Sequence, residues 1–143
     1  MSTARLALIL LFAVCATVTP QASIREATQH YAQLSLAMDH AGIAAMFAPE
    51  GELVLQPGQS VRGPAAIDHY LEGFRAFHVR SDVITTDRVD VNGSTAHSEG
   101  TYAQRVTLPD GKTVDVHGRY AIEWTEGANG VWLIRSMSTA PAP

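Results

Sequence analysis

Hydrophobic positions along the chain change their period once, and the change divides the sequence into a helical first part and a stranded second part. Ile24, Ala27, Tyr31, Leu34 and Met38 recur every three or four residues. That spacing predicts one apolar stripe on a helix starting near Ser23. A short second helix is predicted through Ile43, Met46 and Phe47, stopped by Pro49 and Gly51. Residues 52–56 then alternate as a strand up to the turn Gln56-Pro57-Gly58. Gly63-Pro64 opens a third helix, since proline at a first helical position gives up no useful N–H, and Ile67, Tyr70, Leu71 and Phe74 line one of its faces. Two-residue alternation dominates the remainder. Helices first and strands afterwards imply an α+β fold rather than alternating βαβ units.

The turns set the register of the sheet. Asn92-Gly93 is a preferred pair for a two-residue type I′ hairpin, which puts Val91 opposite Ser94, Val89 opposite Ala96 and Asp87 opposite Ser98. A three-residue loop Pro109-Asp110-Gly111 pairs Val106 with Val114, Gln104 with Val116 and Tyr102 with Gly118 on one face. The other face then pairs Arg105 with Asp115 and His97 with Glu123. A two-residue loop would slip the strands by one and put Arg105 among Val116 and Tyr120, so the longer loop is the expectation. A last loop over residues 126–130 brings Trp132 to Trp124 on the inner side and leaves Val131, Leu133 and Met137 outside.

Composition narrows the setting. Arg5 followed by the apolar run from Leu6 to Val14 and then by small residues reads as a signal peptide with cleavage after Ala16 or Ala22. The run is shorter than the ~20 residues of a membrane span, and no second such segment follows. Residues 1–22 are therefore expected as a leader, 23–139 as a single domain and 140–143 as a tail, which makes the mature protein exported and free of the membrane. The only cysteine, Cys15, falls inside the leader, so the mature domain has no disulfide, thiol nucleophile or thiolate ligand. A formal charge of −4 without a Lys/Arg cluster argues against a nucleic-acid surface. A small molecule or another protein is the expected partner.

Three pieces of sequence carry a resemblance. Asp39-x-x-x-Ile43-x-x-Met46-Phe47-Ala48-Pro49-Glu50-Gly51, then Gly63-Pro64-Ala65-Ala66-Ile67, and finally Gly118-Arg119-Tyr120 with Trp132 resemble the SnoaL-like and ketosteroid-isomerase-like group of the nuclear transport factor 2 superfamily. The likeness runs from about Ile24 to Thr139. It implies a cone in which a curved antiparallel sheet wraps the N-terminal helices and leaves a pocket at the open end, with pairing of two copies through the outer sheet face. Carried over residue by residue, it matches Tyr31 to a first-helix tyrosine that donates to a substrate oxyanion. The general base of the isomerases falls at Gln56, before Pro57, and an amide cannot take a proton. Their second oxyanion donor, a protonated aspartate, falls near Arg119 and Tyr120, where there is no acid. The resemblance thus implies the fold without isomerase chemistry, since fold and function separate readily.

Other residues invite chemistry of their own. Asp87, in the expected register, faces the concavity and is the candidate base, with Tyr31 as proton donor. Tyr31, Gln56, Tyr102, Tyr120, Trp124 and Trp132 are the candidate ligand contacts. Asp39, just before a short helix, reads as a cap. His97, Glu99 and His117 come nearest to a metal set, but the register pairs His117 with Ala103, away from His97, so no metal is expected. His40, His69 and His78 read as surface groups. No serine sits in a Gly-x-Ser-x-Gly turn, no Gly-rich phosphate loop is present, and no cofactor is expected. The combined reading is an exported domain binding a small, largely apolar ligand. Its alternatives are an acid–base enzyme in the same pocket and a non-catalytic module dimerising through Val131, Leu133 and Met137.

Overall fold

The computed structural model describes residues 16–142, so the apolar run of the expected leader and Cys15 lie outside the described residues. Three helices, α1 (Pro20–Leu36), α2 (His40–Ala45) and α3 (Pro64–Glu72), accompany six strands: β1 (Phe47–Gln56), β2 (Gln59–Arg62), β3 (His78–Asn92), β4 (Thr95–Thr107), β5 (Thr113–Glu126) and β6 (Trp132–Pro141). The strands form one open curved sheet in the order β2-β1-β6-β5-β4-β3. The α+β expectation holds. The sheet is mixed rather than wholly antiparallel, because β1 enters beside the last strand and runs parallel to β6.

Helix ends follow local chemistry. Helix α1 starts three residues before Ser23, where Thr19 Oγ1 accepts from the Ala22 amide at 3.2 Å and Pro20 takes the first helical position. Asp39 does cap α2, its carboxylate accepting from the Gly42 N–H at 2.9 Å. Ala140 and Pro141 pair with Arg119 and Gly118, so the chain continues as strand where a tail was expected.

The deepest core lies at the closed end. Ile24, Ile67, Ile122, Trp124 and Ile134 have essentially no exposed surface, and each such side chain contributes roughly 1.5–3 kcal/mol by leaving water. Thr28, Ala32 and Ser35 are buried on α1 as well, so the helix turns a partly small and polar line inward beside Ile24. Two side chains of α1 cover the free edge of β3: Arg25 Nη1 donates to Thr86 O at 2.7 Å and Gln29 Nε2 to Ile84 O at 2.9 Å. Edge carbonyls that would otherwise invite another strand are thereby satisfied.

Two bulges correct the expected register. The β3–β4 hairpin closes on Asn92 opposite Thr95, which leaves Gly93 and Ser94 in the turn and Gly93 at φ 59°. Val91 therefore faces Ala96 and Val89 faces Ser98, two residues along from the expected pairs. A bulge between Thr86 and Arg88 then leaves Asp87 unpaired and changes which residues of β3 point inward. Ile84 is buried before the bulge; Val89 and Val91 pack on the core after it. The strand lies tightly on Gly100, where any side chain would collide with the Thr85 carbonyl. A second bulge leaves Arg135 without a partner on β5, and it turns Met137, expected outside, into the core. The β4–β5 pairing follows the three-residue loop as expected: Val106 with Val114, Gln104 with Val116, Tyr102 with Gly118, Arg105 with Asp115 and His97 with Glu123.

Candidate functional site

The concave face of the sheet does not close over its whole length. Between α1, the end of α3 and the outer halves of β3, β4 and β5 lies a cavity of about 380 Å³, walled by Tyr31, Tyr70, Phe74, Tyr102, Tyr120 and several aliphatic side chains. A second lobe of about 340 Å³ adjoins it, sharing Tyr31, Leu71, Phe74, Gln104 and Val116. Tyr70 and Phe74 meet edge to face at 5.4 Å, and Phe74 leans on Phe77 at 5.5 Å, so the helix end supplies an aromatic wall. Gly118 makes the opposite wall possible. A Cβ there would collide with the Ala140 carbonyl at 2.2 Å, and the Tyr102 ring and hydroxyl already lie at 3.0 Å from the same point, so glycine lets β6 and Tyr102 both close on β5.

One carboxylate stands in this apolar setting. Asp82, on β3 opposite Gln104, accepts from Gln104 Nε2 at 2.9 Å through Oδ2, and the same amide reaches Ser35 Oγ at 3.3 Å. Its other oxygen, Oδ1, is buried with no hydrogen-bond partner. Burial pushes the Asp82 carboxyl above its ordinary value, against the opposing hydrogen bonds from Gln104 and Ser35. Tyr31 feels both its own burial and the negative charge of Asp82, and its hydroxyl is pushed up to about 12. The pocket therefore sets a phenol that keeps its proton beside a carboxyl whose charged form burial disfavours. Tyr120 is also raised, chiefly by burial, and its hydroxyl donates to Thr86 Oγ1 at 2.7 Å.

Of the residues singled out in the sequence, Tyr31, Tyr102 and Tyr120 come together on this cavity. Four do not. Asp87, displaced by the bulge, is exposed and lies 3.5 Å from the Arg119 guanidinium, so it cannot serve as a base inside the pocket. Gln56 is exposed in the β1–β2 turn, where its amide donates to Gln59 at 2.7 Å. Trp124 is completely buried at the closed end, its indole N–H donating to Ser98 Oγ at 2.9 Å, and Trp132 is buried opposite Glu126; neither lines the cavity.

Asp82, Gln104 and Ser35 are the polar residues that sequence reasoning missed. The register already put Gln104 on the inner face, and Asp82 sits two residues before the buried Ile84, which is the signal that would have found it. His40 is another correction. Instead of facing solvent it is buried at the start of α2, 2.9 Å from Glu72 and lining the second lobe.

The outer face carries ordinary surface chemistry. Glu123, with Glu99 assisting, holds the His97 imidazole above its usual value, and Arg105 pairs with Asp115 at 2.9 Å. Among the described residues no group of three or more His, Cys, Asp or Glu side chains is placed to hold a metal ion.

Solved structures share this architecture. A ketosteroid isomerase-like protein from Erwinia carotovora atroseptica superposes with a TM-score of 0.76 at 16% identity, covering 86% of this chain and 96% of its own. An NTF2-like protein with a cystatin-like fold from Novosphingobium aromaticivorans gives 0.70 at 18%, covering 83% and 79%. A Catenulispora acidiphila protein in complex with S-DNPA gives 0.69 at 18%, covering 82% and 91%. At these identities the likeness establishes the fold. No curated protein matches the chain. The model of the SnoaL-like domain family matches residues 16–138, and the chain belongs to that family.

Proposed function

We propose that this domain binds one small, largely apolar molecule in the pocket at the open end of the cone, with the molecule's polar end at Asp82. The unpartnered Asp82 Oδ1 carries the reading. A buried polar atom without a partner costs about 1–3 kcal/mol, and it persists where something else satisfies it. The surrounding aromatic and aliphatic walls match an apolar body, and the volume is that of a small-molecule site. A neighbour of the same fold held in complex with S-DNPA supports the idea. Native mass spectrometry of the protein purified from its own host should show a co-purifying small molecule that is lost in Asp82→Leu. A wild-type protein that is empty and takes up nothing from a panel of apolar compounds would refute the proposal.

A second reading has one observation in its favour. Asp82, raised above its ordinary value by burial, and Tyr31, held protonated, are the pair that acid–base catalysis needs, in the roles first expected of Asp87 and Tyr31. Such an enzyme would lose turnover in Asp82→Asn while still binding its substrate.

Export and self-association belong to the same proposal. The Leu6 to Val14 run supports a leader, and cleavage after Ala16 rather than Ala22 keeps the Thr19 cap of α1. Val131, which is 56% exposed, and the half-buried Leu133 support an outer-face homodimer, without Met137. Light scattering should give a dimer for the wild type and a monomer for Leu133→Lys; equal masses would overturn the dimer.

A further inference from the structure

We infer that the pocket selects a ligand whose polar end is an ammonium group, set against Asp82 Oδ1 and carried on an apolar body. The inference rests on the pocket-binding reading and adds the charge of the ligand.

Asp82 is the sole carboxylate on the first lobe, and no Lys, Arg or His lines that lobe among the described residues. The second lobe adds only His40, whose Nδ1 is engaged by Glu72 at 2.9 Å. Arg25 holds the Thr86 carbonyl and lines neither lobe. The hydrogen bond that Asp82 does receive comes from a neutral group, the Gln104 amide. A carboxylate taken out of water with neutral partners alone lacks the counter-charge that ordinarily compensates burial.

An incoming ammonium supplies what is missing. It donates a charge-assisted hydrogen bond to Oδ1, stronger than one from a neutral hydroxyl. Tyr31, Tyr70, Phe74, Tyr102 and Tyr120 line the same cavity, and aromatic rings attract cations through their faces. An anionic ligand meets the opposite situation, with Asp82 repelling it and no lining cation to hold it. A metal ion would find a single carboxylate and too few further donors.

Calorimetry with naphthylethylamine, naphthylethanol and naphthylpropanoate on the full mature domain tests the inference, because the three share a body and differ in head group. At neutral pH the amine should bind about tenfold or more tighter than the alcohol, roughly 1.4 kcal/mol, and the carboxylate should bind weakest. Asp82→Asn should abolish the amine's advantage over the alcohol. Asp82→Leu should do the same and serves if the amide variant fails to fold. An alcohol that binds as tightly as the amine, or an amine preference that survives both substitutions, overturns the ammonium inference and leaves the pocket reading standing. Failure of all three compounds to bind the wild type overturns both.

Discussion

The two ends of β4 and β5 put a polar hydrogen bond on the same concave face and treat it oppositely. At the closed end Trp124 Nε1 donates to Ser98 Oγ at 2.9 Å, and both side chains are wholly buried among isoleucines. At the open end Gln104 Nε2 donates to Asp82 at the same distance, yet Asp82, which lines the cavity, keeps its Oδ1 without a partner. The first bond completes a core: the indole has one N–H, the serine accepts it, and among the described residues no buried polar side-chain atom there is left without a partner. The second leaves an acceptor over. Buried polarity that is closed on itself is structural, whereas buried polarity left open beside a cavity marks where another molecule belongs.

The largest effect should come from the closed end. Trp124→Ala removes the biggest fully buried side chain and should cost about 3–5 kcal/mol, read from urea denaturation. A loss below about 1 kcal/mol would mean that this end is not dry, and the contrast between the two ends would disappear. Ser98→Ala is the finer cut, since it deletes the acceptor and leaves the indole N–H buried alone. Its cost should be about 1–3 kcal/mol, with the fold and the pocket unchanged in near-UV circular dichroism.

Legibility in the sequence followed the same division. The β4–β5 face was readable because its loop and its alternation agree: a one-residue slip would have buried Arg105, so Tyr102, Gln104 and Tyr120 fell correctly on the inner side. β3 was not readable, because alternation carries no marker for a bulge. Counting back from Val91 and Val89 gave Asp87 an inward place, and one extra residue gave that place to Thr86 and Asp82 instead. The Arg135 bulge moved Met137 inward by the same mechanism. Family likeness pointed to Tyr31, which lines the cavity, and to Gln56, which the β1–β2 turn holds in solvent through Gln59. Thr28 and Ser35 escaped the apolar stripe because small hydroxyl residues can be buried on a helix that packs against a sheet; Thr28 returns its hydroxyl to the Ile24 carbonyl at 2.9 Å.

Asp82→Asn is the smallest effect expected and the one whose sign separates the two ends. Burial holds the folded Asp82 carboxyl above its ordinary value of 3.8, so the folded protein binds that proton more tightly than the unfolded chain does. Its favourable contribution is therefore complete below 3.8 and is lost as pH rises through the folded value. The amide does not titrate, and its carbonyl oxygen can still accept from Gln104. Relative to wild type, the variant should gain stability across that interval and then hold the gain at higher pH. Urea midpoints for both proteins between about pH 4 and pH 8 measure the difference. Removing the polar partner at the closed end destabilises, because an N–H is orphaned; removing the charge at the open end stabilises, because the orphan is the charge itself. A variant that instead loses stability as pH rises would mean that Asp82 is compensated in the free protein, and that the open end is as closed on itself as the pair of Ser98 and Trp124.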